Sequence, residues 1–190
     1  MKEIQKYISS SPEDTKKIAK EIIINELNKL FENKKETKNK KTNSKVLNII
    51  LNGELAAGKT KFVEGVLELF NMQDQISSPT FSIVNEYFED LEFKLENKNN
   101  NENKIENENV FLSLNHFDVY RLADEDEFYE SGLKEYIYPE EKENEENFVK
   151  INLIEWGLNI IDVFPKGYIV INLKKDEKDL NKRIIEVIEK

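Results

Sequence analysis

The chain has 190 residues, long enough for one α/β core, and its 35% charged against 38% hydrophobic content marks a polar but foldable sequence. The net charge of -10 is uneven: residues 1–45 carry 12 lysines against 7 acids, and the rest carries 16 basic against 31 acidic residues, a balance that disfavours tight nucleic-acid binding by this chain alone. With no cysteine there are no disulfides, thiol nucleophiles or Cys-ligated zinc, and without an apolar leader or a stretch near 18 apolar residues we expect a soluble, cytoplasmic protein with no membrane segment.

In chain order, "SPEDTKKIAKEIIINELNKLF" opens with Ser11 as N-cap and Pro12 at the first helical position, followed by isoleucines and leucines at helical spacing; it is predicted to be a helix. The Lys/Asn/Glu-rich stretch 32–45 has almost nothing to bury and is expected to be a loop, as are 96–109 and 138–148. "KVLNIIL" is a nearly continuous apolar run, the pattern of a parallel strand covered on both faces. Two glycines follow it, and Phe62, Val63, Val66, Leu67 and Phe70 then recur at helical spacing. Gly65 inside that helix costs about 1 kcal/mol against alanine, which predicts close approach by another backbone.

Further strands are predicted over 81–88, 110–120, 148–156 and 168–174, with one or two short helices broken at Gly132 over 125–137. "KRIIEVIE" follows the turn-like "KDEKDLN" and is expected to form a hairpin with the strand before it. Together these elements predict one α/β domain over 1–190 with a central, largely parallel sheet, a C-terminal antiparallel hairpin and low-complexity insertions near 32–45, 96–109 and 138–148.

The chemistry concentrates at Gly53-Glu54-Leu55-Ala56-Ala57-Gly58-Lys59-Thr60, which satisfies G-x-x-x-x-G-K-[ST] between a strand and a helix. In such a loop backbone N–H groups turn inward to cradle phosphates, the helix start adds its positive end, Lys59 reaches the outer phosphates, and Thr60 offers a hydroxyl to Mg²⁺. An acid at the end of a neighbouring strand completes a P-loop site, and the sequence offers two, Asp118 after "LSLNHF" and Glu155 after "INLI". His116 shares a strand face with Asp118, and we read it as packed or hydrogen-bonded rather than as a base. Trp156 is either buried packing or a neighbour of the nucleotide, and Arg121 is either a phosphate contact or a partner of nearby acids. In "SSPTFSIVNEY", Pro79 stiffens a loop whose Ser78 and Thr80 could sense a γ-phosphate as a switch segment does; on generic grounds it is an ordinary turn.

Five of these motifs, "LNGELAAGKTKFVEGVL", "SPTFSIVNEY", "HFDVYRL", "ESGLKEYI" and "LIEWG", occur in the order of the TsaE (formerly YjeE) family, which the chain resembles over roughly residues 12–188. The resemblance implies a P-loop NTPase-like three-layer fold and an ATPase of tRNA threonylcarbamoyladenosine biosynthesis. Its ATP hydrolysis supports a complex with TsaD-like and TsaB-like proteins that modifies the adenosine beside the anticodon. It also implies that tRNA is engaged indirectly, through those partners. By the same analogy Lys59, Asp118 and Glu155 are catalytic, and Thr60 and Glu155 are ligands of Mg²⁺. ATP meets Leu55, Ala56, Ala57, Gly58, Lys59, Thr60 and Lys61, with Thr80 in a switch-like loop and Trp156 beside the site. Thr15 and Lys182 or Arg183 are the implied outer nucleotide contacts. The sequence departs from the family pattern at Ala56, where glycine is usual and a positive φ would be strained, at Lys61, where threonine is usual, and at Gly157, where proline or alanine is frequent. The competing readings are a P-loop kinase of nucleotides or small molecules, and a nucleotide-gated binding module without useful turnover. A kinase would want an Arg-rich lid, and the chain has only Arg121 and Arg183.

Overall fold

The structure is a computed structural model that describes residues 4–32, 45–73, 79, 83–97, 104–137 and 148–190. The elements are β1 (Gln5–Ser9), α1 (Pro12–Glu32), β2 (Lys45–Asn52), α2 (Lys59–Leu69), β3 (Val84–Asn97), β4 (Lys104–Asp118), α3 (Glu125–Glu130), α4 (Lys134–Ile137), β5 (Phe148–Glu155), a 3-10 segment (Gly157–Val163), β6 (Ile169–Lys175) and β7 (Arg183–Glu189). The strands form one sheet in the order β1-β7-β6-β2-β5-β4-β3. Its centre, β6-β2-β5-β4, is parallel, while β7 runs antiparallel to both β6 and β1, and β3 antiparallel to β4. The predicted α/β class, the parallel centre and the C-terminal hairpin are all present.

Side-chain alternation along the central strands divides the core between two faces. Leu47, Ile49 and Leu51 of β2 and Ile151 and Leu153 of β5 pack with Ile22, Ile23 and Leu27 of α1 and Phe62, Val66 and Leu67 of α2. Ile50, Phe117 and Ile154 face the other way, onto Phe128 of α3, Ile137 of α4, and Ile160 and Val163 of the 3-10 segment. Each such side chain, fully buried, contributes about 1.5–3 kcal/mol of transfer free energy, so the two helical layers bind the sheet from both sides.

Helix α1 starts as its sequence predicts. The Ser11 hydroxyl accepts a hydrogen bond from the Asp14 amide at 3.0 Å, and Pro12 occupies the first turn, where its missing N–H costs nothing. Helix α2 meets α1 at Gly65. A Cβ there would lie 2.6 Å from the Lys16 Cα and 2.7 Å from its carbonyl oxygen, so the approach predicted from the glycine is real.

On the α3/α4 side of the sheet a row of buried amides crosses three parallel strands. The Asn115 Nδ2 donates to Asn152 Oδ1 at 2.8 Å, and Asn152 Nδ2 donates to Asn48 Oδ1 at 2.8 Å and to the Tyr136 carbonyl at 3.0 Å. The three asparagines are direct register partners, Asn48 with Asn152 and Asn152 with Asn115.

Three expectations change. Strand β1 was not among the predicted elements, yet its five residues pair with β7 along their whole length. The stretch 96–109 is not all loop: Glu96 and Asn97 close β3, and β4 begins at Lys104, paired back to Asn97. The predicted strand over 81–88 begins at Val84, residues 81 and 82 lying outside the described residues. Most of the predicted loops at 32–45 and 138–148 lie outside them as well. Among the described residues, no helix is long and apolar enough to cross a membrane.

Candidate functional site

In parallel α/β sheets the carboxyl ends of the strands open toward ligands. Here β2 runs into the glycine-rich loop, β4 ends in Asp118 and β5 in Glu155, with Asp118 and Glu155 in direct register. Because the side-chain period is two, His116, Asp118 and Glu155 all lie on the face that carries α1 and α2, the face on which the loop also sits. The cavity that results is about 470 Å³. It is lined by Ser11, Pro12, Thr15, the loop from Leu55 to Lys61, Asp118, Glu155, Trp156, Asn181 and Arg183. Thr15, Leu55 to Lys61, Asp118, Glu155, Trp156 and Arg183, all singled out by sequence, therefore line one cavity; Thr80 lies outside the described residues, and Lys182, Arg121 and His116 do not line it. A slightly larger hollow of about 540 Å³ lies against Leu30, Leu47 and Glu189, but none of the residues selected by sequence reaches it.

The loop is shaped from below and from outside. Gly58 takes φ 111°, a conformation that favours glycine, and Ala56 takes φ 60°, so the alanine at the family's glycine position does stand in the left-handed region. That conformation costs a non-glycine residue about 1–2 kcal/mol, which the surrounding contacts must offset. Arg183 of β7 supplies part of them: its Nε donates to the Ala57 carbonyl at 3.1 Å and its Nη2 to the Ala56 carbonyl at 3.4 Å. Lys175 adds a bond to the Leu55 carbonyl at 3.3 Å. These bonds draw the carbonyls of 55–57 toward basic side chains at the rim.

Inside the loop, the Lys59 ammonium donates to the carbonyls of Gly53 at 2.8 Å and Glu54 at 3.1 Å, and it sits 3.9 Å from the centre of the Trp156 ring. Lys59 is buried. Burial pushes its ammonium below the ordinary lysine value, and the charges of Glu155 and then Asp118 offset this only in part. Trp156 itself takes φ 66°, unusual for a bulky residue, and its ring is 5.3 Å from that of Tyr120. The tryptophan thus neighbours the site through Lys59 instead of only filling the core.

At the mouth of the loop the Thr60 hydroxyl donates to Glu155 Oε1 at 3.4 Å. The same oxygen is 3.1 Å from His116 Nε2. The carboxylate and the hydroxyl are hard oxygen donors of the kind that suits Mg²⁺. Among the described residues no three His, Cys, Asp or Glu side chains cluster closely enough to hold a metal by themselves.

On the α1 side, Thr15 is buried, its hydroxyl 2.7 Å from that of Ser9, and it lines the cavity. Lys182, the alternative to Arg183, pairs with Asp179 at 3.5 Å and does not line the cavity, and neither does Arg121. Sequence reasoning missed Asn181, Lys175 and the His116 to Glu155 contact. Only His116 carried a signal, its shared face with Asp118.

The fold and this loop define an α/β protein of P-loop NTPase-like architecture. The chain matches the family model described as threonylcarbamoyl adenosine biosynthesis protein TsaE over residues 9–185. Relatives named tRNA threonylcarbamoyladenosine biosynthesis protein TsaE include those of Treponema pallidum, 30% identical over 66% of this chain, and Haemophilus influenzae, 30% over 68%. The protein of that name from Bacillus subtilis is 31% identical over 70% of this chain. The matches span 71%, 63% and 66% of the relatives' own lengths, in that order. The crystal structure of Bacillus subtilis YdiB superposes with a TM-score of 0.51 at 25% identity, covering 98% of this chain and 86% of that one. The chain belongs to the TsaE family.

Proposed function

We propose that the protein is a Mg²⁺-dependent ATPase that serves tRNA threonylcarbamoyladenosine biosynthesis as an accessory subunit, slow alone and faster with TsaD-like and TsaB-like partners. The observation that carries this reading is the buried Lys59, held by loop carbonyls, with the Thr60 and Glu155 oxygens 3.4 Å apart beside it.

In this reading the amides of residues 56–60 receive the phosphates of ATP, and Lys59 leaves its carbonyl partners to neutralise the outer ones. Thr60 and Glu155 would hold Mg²⁺, which supplies charge neutralisation of the phosphates when bound. Asp118, in register with Glu155 at the sheet edge, orients the attacking water. Arg183 keeps the loop's outer carbonyls turned away, and Thr15 with Trp156 bounds the cavity. The acidic surface leaves tRNA to be held by the partner proteins.

The test is Mg²⁺-dependent phosphate release with and without purified TsaD and TsaB. We expect slow release alone, faster release with both, and loss of turnover in Glu155→Ala. Transfer of phosphate to an added small acceptor would favour the kinase reading instead, and tight ATP binding without release the binding module. Against the kinase stands the engagement of Arg183 with the loop carbonyls, since only two arginines are available in the chain.

A further inference from the structure

His116 is the only histidine in the chain and is 2% exposed. Its strand neighbours on the same face, Leu112 and Leu114, are core residues, so an aliphatic side chain would meet the packing need at this position. Burying an imidazole there is unfavourable unless the ring is hydrogen-bonded. The ring makes one such bond, from Nε2 to Glu155 Oε1 at 3.1 Å, while Nδ1 is buried without a partner. A carboxylate only accepts, so the proton of that bond belongs to Nε2. The one hydrogen bond that the ring makes is therefore the one to Glu155.

The register explains the geometry. His116 pairs with Leu153 and Asp118 with Glu155, so the imidazole lies one step back along β4 from the Asp118–Glu155 pair, on the same face. Glu155 Oε1 receives two bonds, from Thr60 and from His116, and they differ in kind. The Thr60 hydroxyl would itself be a ligand of the cation, whereas His116 holds Glu155 from outside the cavity. His116 does not line the cavity, so a ligand there need not displace its bond to Glu155.

We propose that His116 is the positioning residue of the magnesium site: its Nε2–H holds the Glu155 carboxylate in place for the cation. This rests on the nucleotide reading given above and adds to it a residue that touches neither nucleotide nor ion. Hydrogen-bonded partners of metal-ligating carboxylates influence metal affinity by about 10–100-fold when removed.

The experiment compares His116→Gln, His116→Asn and His116→Leu in the full chain. ATP affinity is measured in EDTA and across a Mg²⁺ titration, by calorimetry and by the fluorescence of Trp156, the single tryptophan. The amide nitrogen of glutamine reaches about as far as Nε2, whereas that of asparagine reaches only the Nδ1 position. We expect His116→Leu and His116→Asn to raise the Mg²⁺ concentration for half-saturation about 10–100-fold with Mg²⁺-free ATP affinity unchanged, and His116→Gln to restore most of it. If the leucine variant does not fold, the glutamine and asparagine pair decides the matter by reach alone. An unchanged Mg²⁺ response in all variants, equal loss in glutamine and asparagine, or a parallel loss of Mg²⁺-free affinity would each overturn the proposal. Failure of the unsubstituted protein to bind Mg²⁺ and ATP would instead bring down the nucleotide reading and this inference with it.

Discussion

Two lysine environments lie within a few turns of each other and treat the same charge in opposite ways. Between α1 and α2, Lys16 meets Glu68 at 2.7 Å and Glu64 at 3.5 Å, and Lys20 meets Glu68 at 2.9 Å. The Lys16 bond, followed by that of Lys20, holds the Glu68 carboxyl below its usual range, and the same bond raises Lys16. Every charge in this half-exposed clasp has a counter-charge. In the loop, Lys59 has carbonyl dipoles and an aromatic ring, and burial outweighs the attraction of the two nearby acids. One lysine is compensated within the protein, while the other is left short of negative charge where a polyanion would enter. The clasp holds two helices together, and the loop keeps an interaction in reserve.

The largest expected effect breaks the loop side of this contrast. Lys59→Ala should weaken ATP binding by about 100-fold, the value of two charged hydrogen bonds made only with ligand present, while leaving the thermal midpoint nearly unchanged. Calorimetry with Mg²⁺ and ATP, run beside a melting curve, checks both halves. An intact affinity would remove Lys59 from the site.

Next is the helix side. Gly65→Ala drives a methyl into the Lys16 backbone and should destabilise the fold by about 1–3 kcal/mol, lowering the melting midpoint by about 2–4 °C per kcal/mol. ATP affinity measured well below the midpoint should stay the same.

A pH scan sharpens the contrast further. The native Lys59 value lies below the ordinary lysine value of about 10.4, so within that window the unfolded chain binds more protons and the Lys59 contribution to stability rises with pH. ATP favours the charged ammonium, so its affinity should fall as pH climbs through the same window. Lys59→Arg, which stays charged, should abolish that fall. A flat profile in the unsubstituted protein would contradict the burial argument.

The smallest effect belongs to the clasp. Glu68→Gln should cost at most about 1 kcal/mol near neutral pH, because partly exposed ion pairs are screened and entropically costly. Glu68 is lowered on folding, so its contribution is present above the ordinary glutamate value and is lost as pH falls through the native one. Urea unfolding of both proteins across the acidic range should show their stabilities converging.

Much of this was legible in the sequence wherever periodicity and local chemistry coincide. The apolar run of β2, the glycines and the helical spacing after Lys59 specified strand, loop and helix. Ser11 and Pro12 located the start of α1, and Gly65 announced its contact with Lys16. What escaped depends on partners distant in sequence. Strand β1 is short and mixed in polarity, and its place comes from backbone pairing with β7, which lies at the other end of the chain. The β3–β4 hairpin continues through residues 96–97 and 104–109 by main-chain bonds, which a Lys/Asn/Glu composition does not record. Strand-face parity joined His116 to Asp118, yet only the parallel register of β4 with β5 brings His116 onto Glu155. Likewise Arg183 was selected as an outer nucleotide contact, while its grip on the Ala56 and Ala57 carbonyls follows from strand order.

The row formed by Asn48, Asn152 and Asn115 has a consequence beyond its own hydrogen bonds. Aliphatic strands slide past one another with little penalty, but these amides find each other at a single alignment, so they act as an index mark for the sheet. Were β5 displaced by one residue, Glu155 would emerge on the opposite surface, away from the loop. Three residues that never approach the cavity therefore decide on which side of the sheet its acid appears.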